Sequence, residues 1–260
     1  MNTRQQQDAD SVRCAAQRPQ QQYWLSSHVY ACQTSDGAVL LDVRRNSYIG
    51  LSEQVTQALT AAVVGWQSIA RRPADASMIG HCINKQDPVR QLVANGVLTT
   101  DSGRGHRLDP IELAPPASLL SVDQQARNRR RVGLADILNF VTALATAQWL
   151  LRVRSFEHLV STIKARKARY GEERGFDIHT IAELIWVFRC IRPFFFTSYG
   201  NCLLHALTLT NFLAKYDLFP TWVVGVKTGP FAAHSWVQSG RFVLDCAPDQ
   251  MTQFTPILAI

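Results

Sequence analysis

The sequence has little charge and lacks the segments that mark a secreted or metal-binding chain. Charged residues make up 18% of its 260 residues and hydrophobic residues 47%, a balance typical of globular rather than disordered proteins. The start, MNTRQQQDAD, has no apolar stretch of a secretory signal. The six cysteines form no CxxC pair, and no Cys/His cluster has zinc-ligand spacing. We therefore expect a cytoplasmic protein with reduced thiols and no metal site.

A long hydrophobic run is also missing. The most apolar stretch, residues 137–151, is 15 residues long and has polar residues in or beside it, whereas a membrane-spanning helix needs about 20 apolar residues. The sequence thus predicts a buried core helix and no transmembrane segment. The net charge of +7 is concentrated in residues 127–131 and 164–174, which we interpret as solvated helix faces. The alternative is a docking face for an acidic partner or a membrane-bound exporter.

The pattern of strands and helices divides the chain. Residues 1–22 are polar and Gln-rich and predict a flexible tail. Residues 23–101 contain three short strand patterns, HVYACQT, AVLLDV and YIGL, with Asp36-Gly37 as the hairpin turn between the first two. Three helices are predicted next: one opening at Ser52, one after Asp75, and one from Asp87-Pro88 to Asn95-Gly96. The stretch VLTT predicts a last strand.

Three strands followed by three helices predict a small winged-helix-like domain. Residues 102–126 are rich in Gly, Pro and Ser and are interpreted as a linker. Residues 127–260 form a second domain, with helices predicted over residues 132–154, 156–169 and 178–190. Pro193 ends the last of these. The fold class expected for the whole chain is α+β.

The final segment carries the candidate catalytic residues. A Gly-Asn turn leads into an apolar-periodic helix that starts at Cys202, where free backbone N–H groups and the helix dipole favour a thiolate nucleophile. The backbone N–H of Cys202 is a candidate oxyanion donor. A hairpin follows, whose first strand begins with His234 and whose second ends with Asp245. Pairing of the two strands is expected to bring Asp245 beside His234, as in a Cys-His-Asp triad of the papain type.

Other residues compete for these roles. His205 lies one turn from Cys202 on the same helix and lacks the separate platform that a base normally has. Cys246 is a second thiol, but it lies at a strand end and not at a helix start. Asp249 is the alternative to Asp245 as the third member.

The same segments resemble a known family. The run from Cys202, with GVKTGPFAAHSWVQ and RFVLD-x-x-PD, resembles the transglutaminase-like cysteine protease of lasso-peptide maturation, the B protein, over about residues 130–260. The resemblance gives the catalytic roles to Cys202, His234 and Asp245 and implies a papain/transglutaminase-like α+β domain. One departure is Gln238, where the family commonly has an acidic residue. We expect this change to affect the surface near the site rather than the chemistry.

The N-terminal part, GAVLLDVRRNSYIGLSEQVTQAL, resembles the precursor-recognition domain that accompanies such proteases. In that family the leader peptide adds a strand to the third strand of the domain and packs against its third helix, which is β-augmentation. This implies a leader-binding surface made by six residues: Tyr48, Ile49, Leu51, Val89, Leu92 and Val93. Packing of the first three in the domain's own core is the alternative. No helix has a basic reading face, so nucleic acid is not an expected partner.

The resemblance implies a leader peptidase. It would bind the precursor's leader and remove it, so that an asparagine-synthetase-like lasso cyclase can form the macrolactam. The chain has no phosphate-binding loop, so no cofactor is expected to bind it directly, and any ATP requirement is assigned to the cyclase. Two alternatives stay open: a non-catalytic protein that recognises and delivers the precursor, and an acyltransferase that uses the same three residues.

Overall fold

The computed structural model describes residues 22–69, 88–115, 118–119, 130–170, 178–197, 200–246 and 248–260. The predicted tail lies outside these ranges except for Gln22. The helix predicted after Asp75 lies wholly outside them, so the winged-helix-like arrangement stays a prediction. The described residues combine helices with antiparallel and mixed sheets, which confirms the α+β class.

An antiparallel meander occupies the N-terminal part. Its strands are β2 (Val29–Thr34), β3 (Gly37–Asp42) and β4 (Ser47–Leu51), in the order β2-β3-β4. The Asp36-Gly37 hairpin is confirmed, and Gly37 has a φ of +139°. A Cβ at Gly37 would lie 2.2 Å from the carbonyl oxygen of Leu51, so the turn requires glycine.

A second small sheet includes residues 105–106, which belong to the predicted linker. Its strands are β1 (Trp24–Ser26), β5 (Leu98–Thr99) and β6 (Gly105–His106), in the order β5-β1-β6. The strand at 98–99 confirms the predicted last strand. Strand β6 was not predicted, because a two-residue strand among glycines shows no periodicity. Leu108, which follows it, is 4% exposed and belongs to the N-terminal core.

Three helices accompany these sheets: α1 (Glu53–Ala62), α2 (Trp66–Ile69) and α3 (Pro88–Ala94). The Ser52 hydroxyl caps α1 by accepting a hydrogen bond from the Val55 N–H. Helix α3 starts at Pro88 as predicted. It ends before Gly96, whose φ of +71° suits the end of a helix.

The meander belongs to two cores at once, because all six residues of β3 are buried. On one face, Ala38 and Leu40 pack in the N-terminal core with α1 and α3. On the other face, Val39 and Leu41 pack in the core of the C-terminal part. The sheet therefore fixes the N-terminal strands against the segment that carries the candidate catalytic residues.

The C-terminal part opens with three helices close to their predicted bounds: α4 (Leu134–Val153), α5 (Phe156–Tyr170) and α6 (Ile178–Ile191). Helix α6 ends at Ile191 and is followed by a 3-10 turn over Arg192–Phe194, which contains Pro193. Helix α4 packs along α7 (Cys202–Ala214). Within the described ranges, α4 is the one helix with the length and apolar composition of a membrane span. Phe140, Ala143 and Ala147 are buried on one face, whereas Leu134, Leu138 and Trp149 are exposed.

A five-stranded sheet completes the fold. Its strands are β7 (Ser118–Leu119), β8 (Thr221–Lys227), β9 (Ala232–Ser239), β10 (Phe242–Leu244) and β11 (Thr255–Ala259). Their order is β11-β8-β9-β10-β7, with β7 parallel to β10 and the other pairs antiparallel. A short helix, α8 (Pro248–Met251), joins β10 to β11. Helix α7 packs against β9, which places the Cys202 helix under the His234 strand.

Candidate active site

Cys202 is the first residue of α7, as predicted. Gly200 has a φ of +73° and Asn201 is the helix N-cap, so the chain turns sharply into the helix. The side chain of Cys202 is half-buried, which leaves the thiol accessible. The N–H groups of a first helical turn have no acceptor within the helix and can stabilise a negative charge there.

His234 lies in β9 opposite Gly225 of β8. The imidazole ring lies against two aromatic rings, with centroid distances of 6.3 Å to Trp236 and 5.3 Å to Phe254. Burial lowers the pKa of His234, and the charge of nearby His205 lowers it further. Its Nε2 atom is buried and has no hydrogen-bond partner among the described residues. A neutral imidazole is the form that can accept a proton from a thiol.

Gly225 makes room for this arrangement. A Cβ on Gly225 would lie 2.7 Å and 2.8 Å from ring atoms of Trp236 and 3.0 Å from the Cβ of Phe254. Because these are the two rings that flank His234, the glycine lets them close around the imidazole. The Gly225-Val226 pair quoted for the family resemblance thus has a packing role here.

Asp245 does not lie beside His234 in the hairpin. The last pair between the strands is Leu244 with Val237, and continuing this register would place Asp245 opposite Trp236, two residues from His234. The backbone also leaves the strand at this point, since Asp245 has a φ of +58°. The predicted register was wrong because the turn at Gly240 pairs Ser239 with Phe242.

The Asp245 carboxylate instead joins α6, the 3-10 turn and α7. Its Oδ2 lies 2.9 Å from Nε2 of His205 and 3.0 Å from Nη1 of Arg192, and its Oδ1 accepts a hydrogen bond from Nε of Arg189. Burial alone would raise the pKa of Asp245, but the His205 hydrogen bond and charge, together with Arg189, hold it below its usual value. Asp245 is therefore ionised, and both of its carboxylate oxygens have hydrogen-bond partners.

His205 has a larger role than predicted. It is 2% exposed, and its ring lies between Phe188 and Phe196 at centroid distances of 5.6 Å and 6.3 Å. It lies three positions after Cys202 on α7, so the two side chains share one face of the helix. Its charge also acts on His234. His205 thus connects the Asp245 carboxylate to the surroundings of both candidate catalytic residues.

The competing residues differ in their surroundings. Cys246 is close enough to Cys202 for the two thiols to interact electrostatically, but burial, followed by the charge of Asp245, raises the pKa of Cys246 to about 12. A thiol in this state is a poor nucleophile. Asp249 lies in α8, and its side chain is outside the described set.

Gln238 is buried, contrary to the expectation that it affects the surface. Its exposed fraction is 0%, its Nε2 donates to the carbonyl oxygens of Ala114 and Gly240, and its Oε1 accepts from Nε1 of Trp236. Gln238 is buried because β10 and the segment that contains Ala114 cover this end of β9. An amide suits the position, because only an amide offers both the donors and the acceptor.

The predicted leader-binding residues divide between the two sides of the meander. Ile49 and Leu51 are half-buried against the N-terminal core, to which Val93 also packs. Val89 and Leu92 are within that core, at 7% and 8% exposure. The side chain of Tyr48 lies on the opposite face of the meander and packs against the core of the C-terminal part. It contacts Phe231 at a centroid distance of 5.4 Å, and after burial the charge of Cys202 is the second cause that raises the pKa of Tyr48. Tyr48 therefore lies within electrostatic range of the candidate nucleophile.

The C-terminal part of the chain matches a known family. A family model described as the transglutaminase-like superfamily matches residues 116–259, more than half of the chain. The chain belongs to the transglutaminase-like superfamily. Its cysteine at the start of a helix and its histidine on the adjacent strand lie within the matched region. Among the residues that the structure describes, this transglutaminase-like domain has no group of three His, Cys, Asp or Glu side chains that could hold a metal ion.

A curated relative is the microcin J25-processing protein McjB of Escherichia coli, which is 33% identical over 61 residues. These residues are 24% of this chain and 29% of McjB, so the match spans less than a third of the relative's length. No solved structure matches the chain at a significant level. The comparisons therefore establish the superfamily and a partial likeness to a protein of microcin processing.

Proposed function

We propose that this transglutaminase-like protein is a leader peptidase of lasso-peptide maturation, with Cys202 as nucleophile and His234 as general base. The observation that carries the proposal is the ring contact between Tyr48 and Phe231, because Tyr48 belongs to the strand on which the leader is expected to bind and Phe231 lies in the loop that leads to His234. The partial likeness to McjB supports a precursor peptide of the microcin class as substrate. A peptide held along β4 would lie beside Tyr48, which contacts the loop that leads to His234.

The reaction is peptide-bond hydrolysis through a thioester. The sulfur of Cys202 attacks the carbonyl carbon of the scissile bond while His234 takes the thiol proton. The oxyanion forms next to the first turn of α7, where the backbone N–H of Cys202 donates to it. The C–N bond breaks as His234 returns the proton to the leaving amine of the core peptide. Water, deprotonated by His234, then hydrolyses the thioester and releases the leader.

Asp245 acts in this proposal as a positioning residue. Its hydrogen bonds to Arg189, Arg192 and His205 tie α6, the 3-10 turn and α7 together behind the site. It influences His234 through His205 and not through a direct hydrogen bond. The freed amino group of the core would go to an asparagine-synthetase-like cyclase, which supplies any ATP-dependent step. The protein itself acts in the cytoplasm.

The test is cleavage of a precursor peptide encoded beside the gene, followed by mass spectrometry, with the cyclase and ATP added in parallel. Wild type should produce a leader and a core peptide of complementary mass, and Cys202→Ala should not. Cys246→Ala is the matched control and should retain cleavage. Equal cleavage by Cys202→Ala would contradict the proposal, and leader binding without cleavage by any form would favour a delivery protein. A product in which the leader's carboxyl group is joined to an added amine would indicate acyl transfer.

A further inference from the structure

A cavity lies between the N-terminal meander and the loop that precedes His234. We call it the interface cavity. It has a volume of about 350 Å³ and is lined mainly by apolar surface, from β4 on one side and from the loop between β8 and β9 on the other. Its lining includes Val39, Tyr48, Gly50 and Phe231, together with the polar residues Thr34, Asp36 and Thr228. This volume is within the range of sites that hold small organic groups.

The cavity exists because residue 50 has no side chain. Gly50 pairs with Val39, and Tyr48 pairs with Leu41, so Tyr48 and Gly50 share the face of the meander that looks towards the C-terminal part. A Cβ added at Gly50 would meet no heavy atom within 4 Å. Its φ is not in the left-handed region, so the backbone does not require glycine there. Gly50 therefore leaves open space beside β4, and the backbone conformation of the strand does not require a glycine there.

The cavity adjoins the path that a bound leader would take. Among the strands that the structure describes, β4 pairs only with β3, so its outer edge is open for an added strand. Tyr48, which lines the cavity, contacts Phe231 of the loop that leads to His234. Phe231 is 54% exposed, a large apolar side chain at the cavity's open side. A peptide strand added to β4 would lie next to Tyr48 and Gly50, which line the cavity.

We propose that the interface cavity binds one apolar side chain of the precursor's leader, close to the cleavage site. The inference rests on the proposed function, since it takes the leader as occupant. The occupant is apolar because most of the lining surface is apolar and because Tyr48 and Phe231 both line the cavity and contact each other. Both parts of the chain contribute to the site, so recognition by β4 and cleavage at Cys202 share one subsite.

The experiment fills the cavity. Gly50→Leu starts from a Cβ position with no heavy atom within 4 Å, and Gly133→Leu is the control, because it adds the same side chain at an exposed glycine outside β4. Binding of a fluorescent leader peptide is measured in the Cys202→Ala background, so that it does not depend on cleavage. Gly50→Leu should weaken binding about ten- to a hundredfold, the value of burying one apolar side chain, and Gly133→Leu by less than about threefold.

An alanine scan of the leader then identifies the occupant. At one apolar leader position, replacement by alanine should weaken binding to the Cys202→Ala protein about tenfold or more but have little effect on the double variant with Gly50→Leu. Unchanged binding by Gly50→Leu, or the same losses in both proteins at every leader position, would overturn the inference. Cleavage by the protein with an intact Cys202 is measured separately. If one leader position loses its effect on binding in the Gly50→Leu variant but the wild type does not cleave, the peptidase proposal alone is removed. If the wild type cleaves but no leader position behaves in this way, the cavity inference alone is removed.

Discussion

The Asp245 carboxylate lies 2.9 Å from Nε2 of His205, and both side chains are almost fully buried. Arg189 and Arg192 complete its surroundings. The acidic residue that the sequence assigns to a Cys-His-Asp triad is thus held by a second histidine and two arginines. His234 is left with a buried Nε2 that has no partner among the described residues. This arrangement makes His205 and Asp245 a unit whose removal has separable effects on stability and on the pH dependence of catalysis.

Asp245→Asn should lower the free energy of unfolding by about 3 kcal/mol, because two partly buried arginines lose their counter-charge. The measurement is urea unfolding at pH 7. The control is Asp109→Asn, which removes the partner of Arg107 in an exposed ion pair and should cost less than about 1 kcal/mol. Equal effects of the two substitutions would contradict the structural role of Asp245.

The contribution of the Asp245 carboxylate to the free energy of unfolding should depend on pH. The pKa of Asp245 is lowered in the folded state by His205 and Arg189 against the opposing effect of burial. A carboxylate with a lowered pKa stabilises fully above its unfolded pKa of about 3.9, and the stabilisation is lost as the pH falls through the folded value. The difference between wild type and Asp245→Asn should therefore shrink in acid. A difference that grows as the pH falls would contradict this.

His205→Phe should move the acid limb of kcat/KM to higher pH. In the proposed mechanism this limb follows the protonation of His234, whose pKa is lowered by burial and then by the charge of His205. The substitution removes the charge of His205, which lowers the pKa of His234, and it removes the His205 partner of the negatively charged Asp245. Both changes favour the protonated imidazole of His234. The groups that face this site are Cys202 and His205 on α7, Arg189, Arg192, Asp245, Cys246, and Tyr48 of β4.

The control for this pH profile is His158→Phe, which replaces an exposed histidine of α5. It should leave the profile unchanged. His205→Gln keeps an N–H donor for Asp245 and should retain more of the wild-type stability than His205→Phe. An acid limb that stays in place or moves to lower pH in His205→Phe would show that His205 does not act on the base.

Gln238→Glu should destabilise the fold by about 3 kcal/mol. The carboxylate cannot donate to the carbonyl oxygens of Ala114 and Gly240, and it would be buried against both. Thermal unfolding followed by circular dichroism measures the change. Gln253→Glu, on the exposed loop before β11, is the matched control and should alter stability by less than about 0.5 kcal/mol. No change in Gln238→Glu would contradict the buried position of this amide.

Gly225→Ala should reduce both stability and catalysis. The added Cβ would overlap the ring of Trp236, at a cost of about 1–3 kcal/mol, and displace a ring that flanks His234. We expect kcat/KM to fall by about tenfold to a hundredfold, because small displacements of a catalytic group are costly. Gly133→Ala, where a Cβ makes only an ordinary contact at 3.6 Å, is the control. Wild-type activity in Gly225→Ala would show that the site tolerates movement of this ring.

Much of this fold could be predicted because the local signals were strong. The Asp36-Gly37 turn, the cap at Ser52, Pro88 at a helix start and the helix beginning at Cys202 each depend on residues close in sequence. Strands β1, β6, β7 and β11 were missed. Three of them are only two or three residues long, and β11 is a run of apolar residues without alternation.

The site shows where sequence reasoning reaches its limit. The position of Asp245 depends on the hairpin register and on a positive φ, and neither is visible in the sequence. Its arginine partners come from residues 189 and 192, more than 50 positions away, and their spacing on a helix end carries no signal by itself. His205 could have been suspected as the buried histidine one turn after Cys202, but only its contact with Asp245 gives it a role.

The most direct test of the central claim is to trap the acyl-enzyme. Wild-type protein is mixed with excess precursor peptide, quenched in acid within seconds, and digested for mass spectrometry. The proposal predicts a thioester that joins the leader's C-terminal carbonyl to Cys202, with an added mass equal to the leader minus one water, and no adduct in Cys202→Ala. An adduct on Cys246, or cleavage by Cys202→Ala at the wild-type rate, would contradict the assignment of Cys202 as nucleophile.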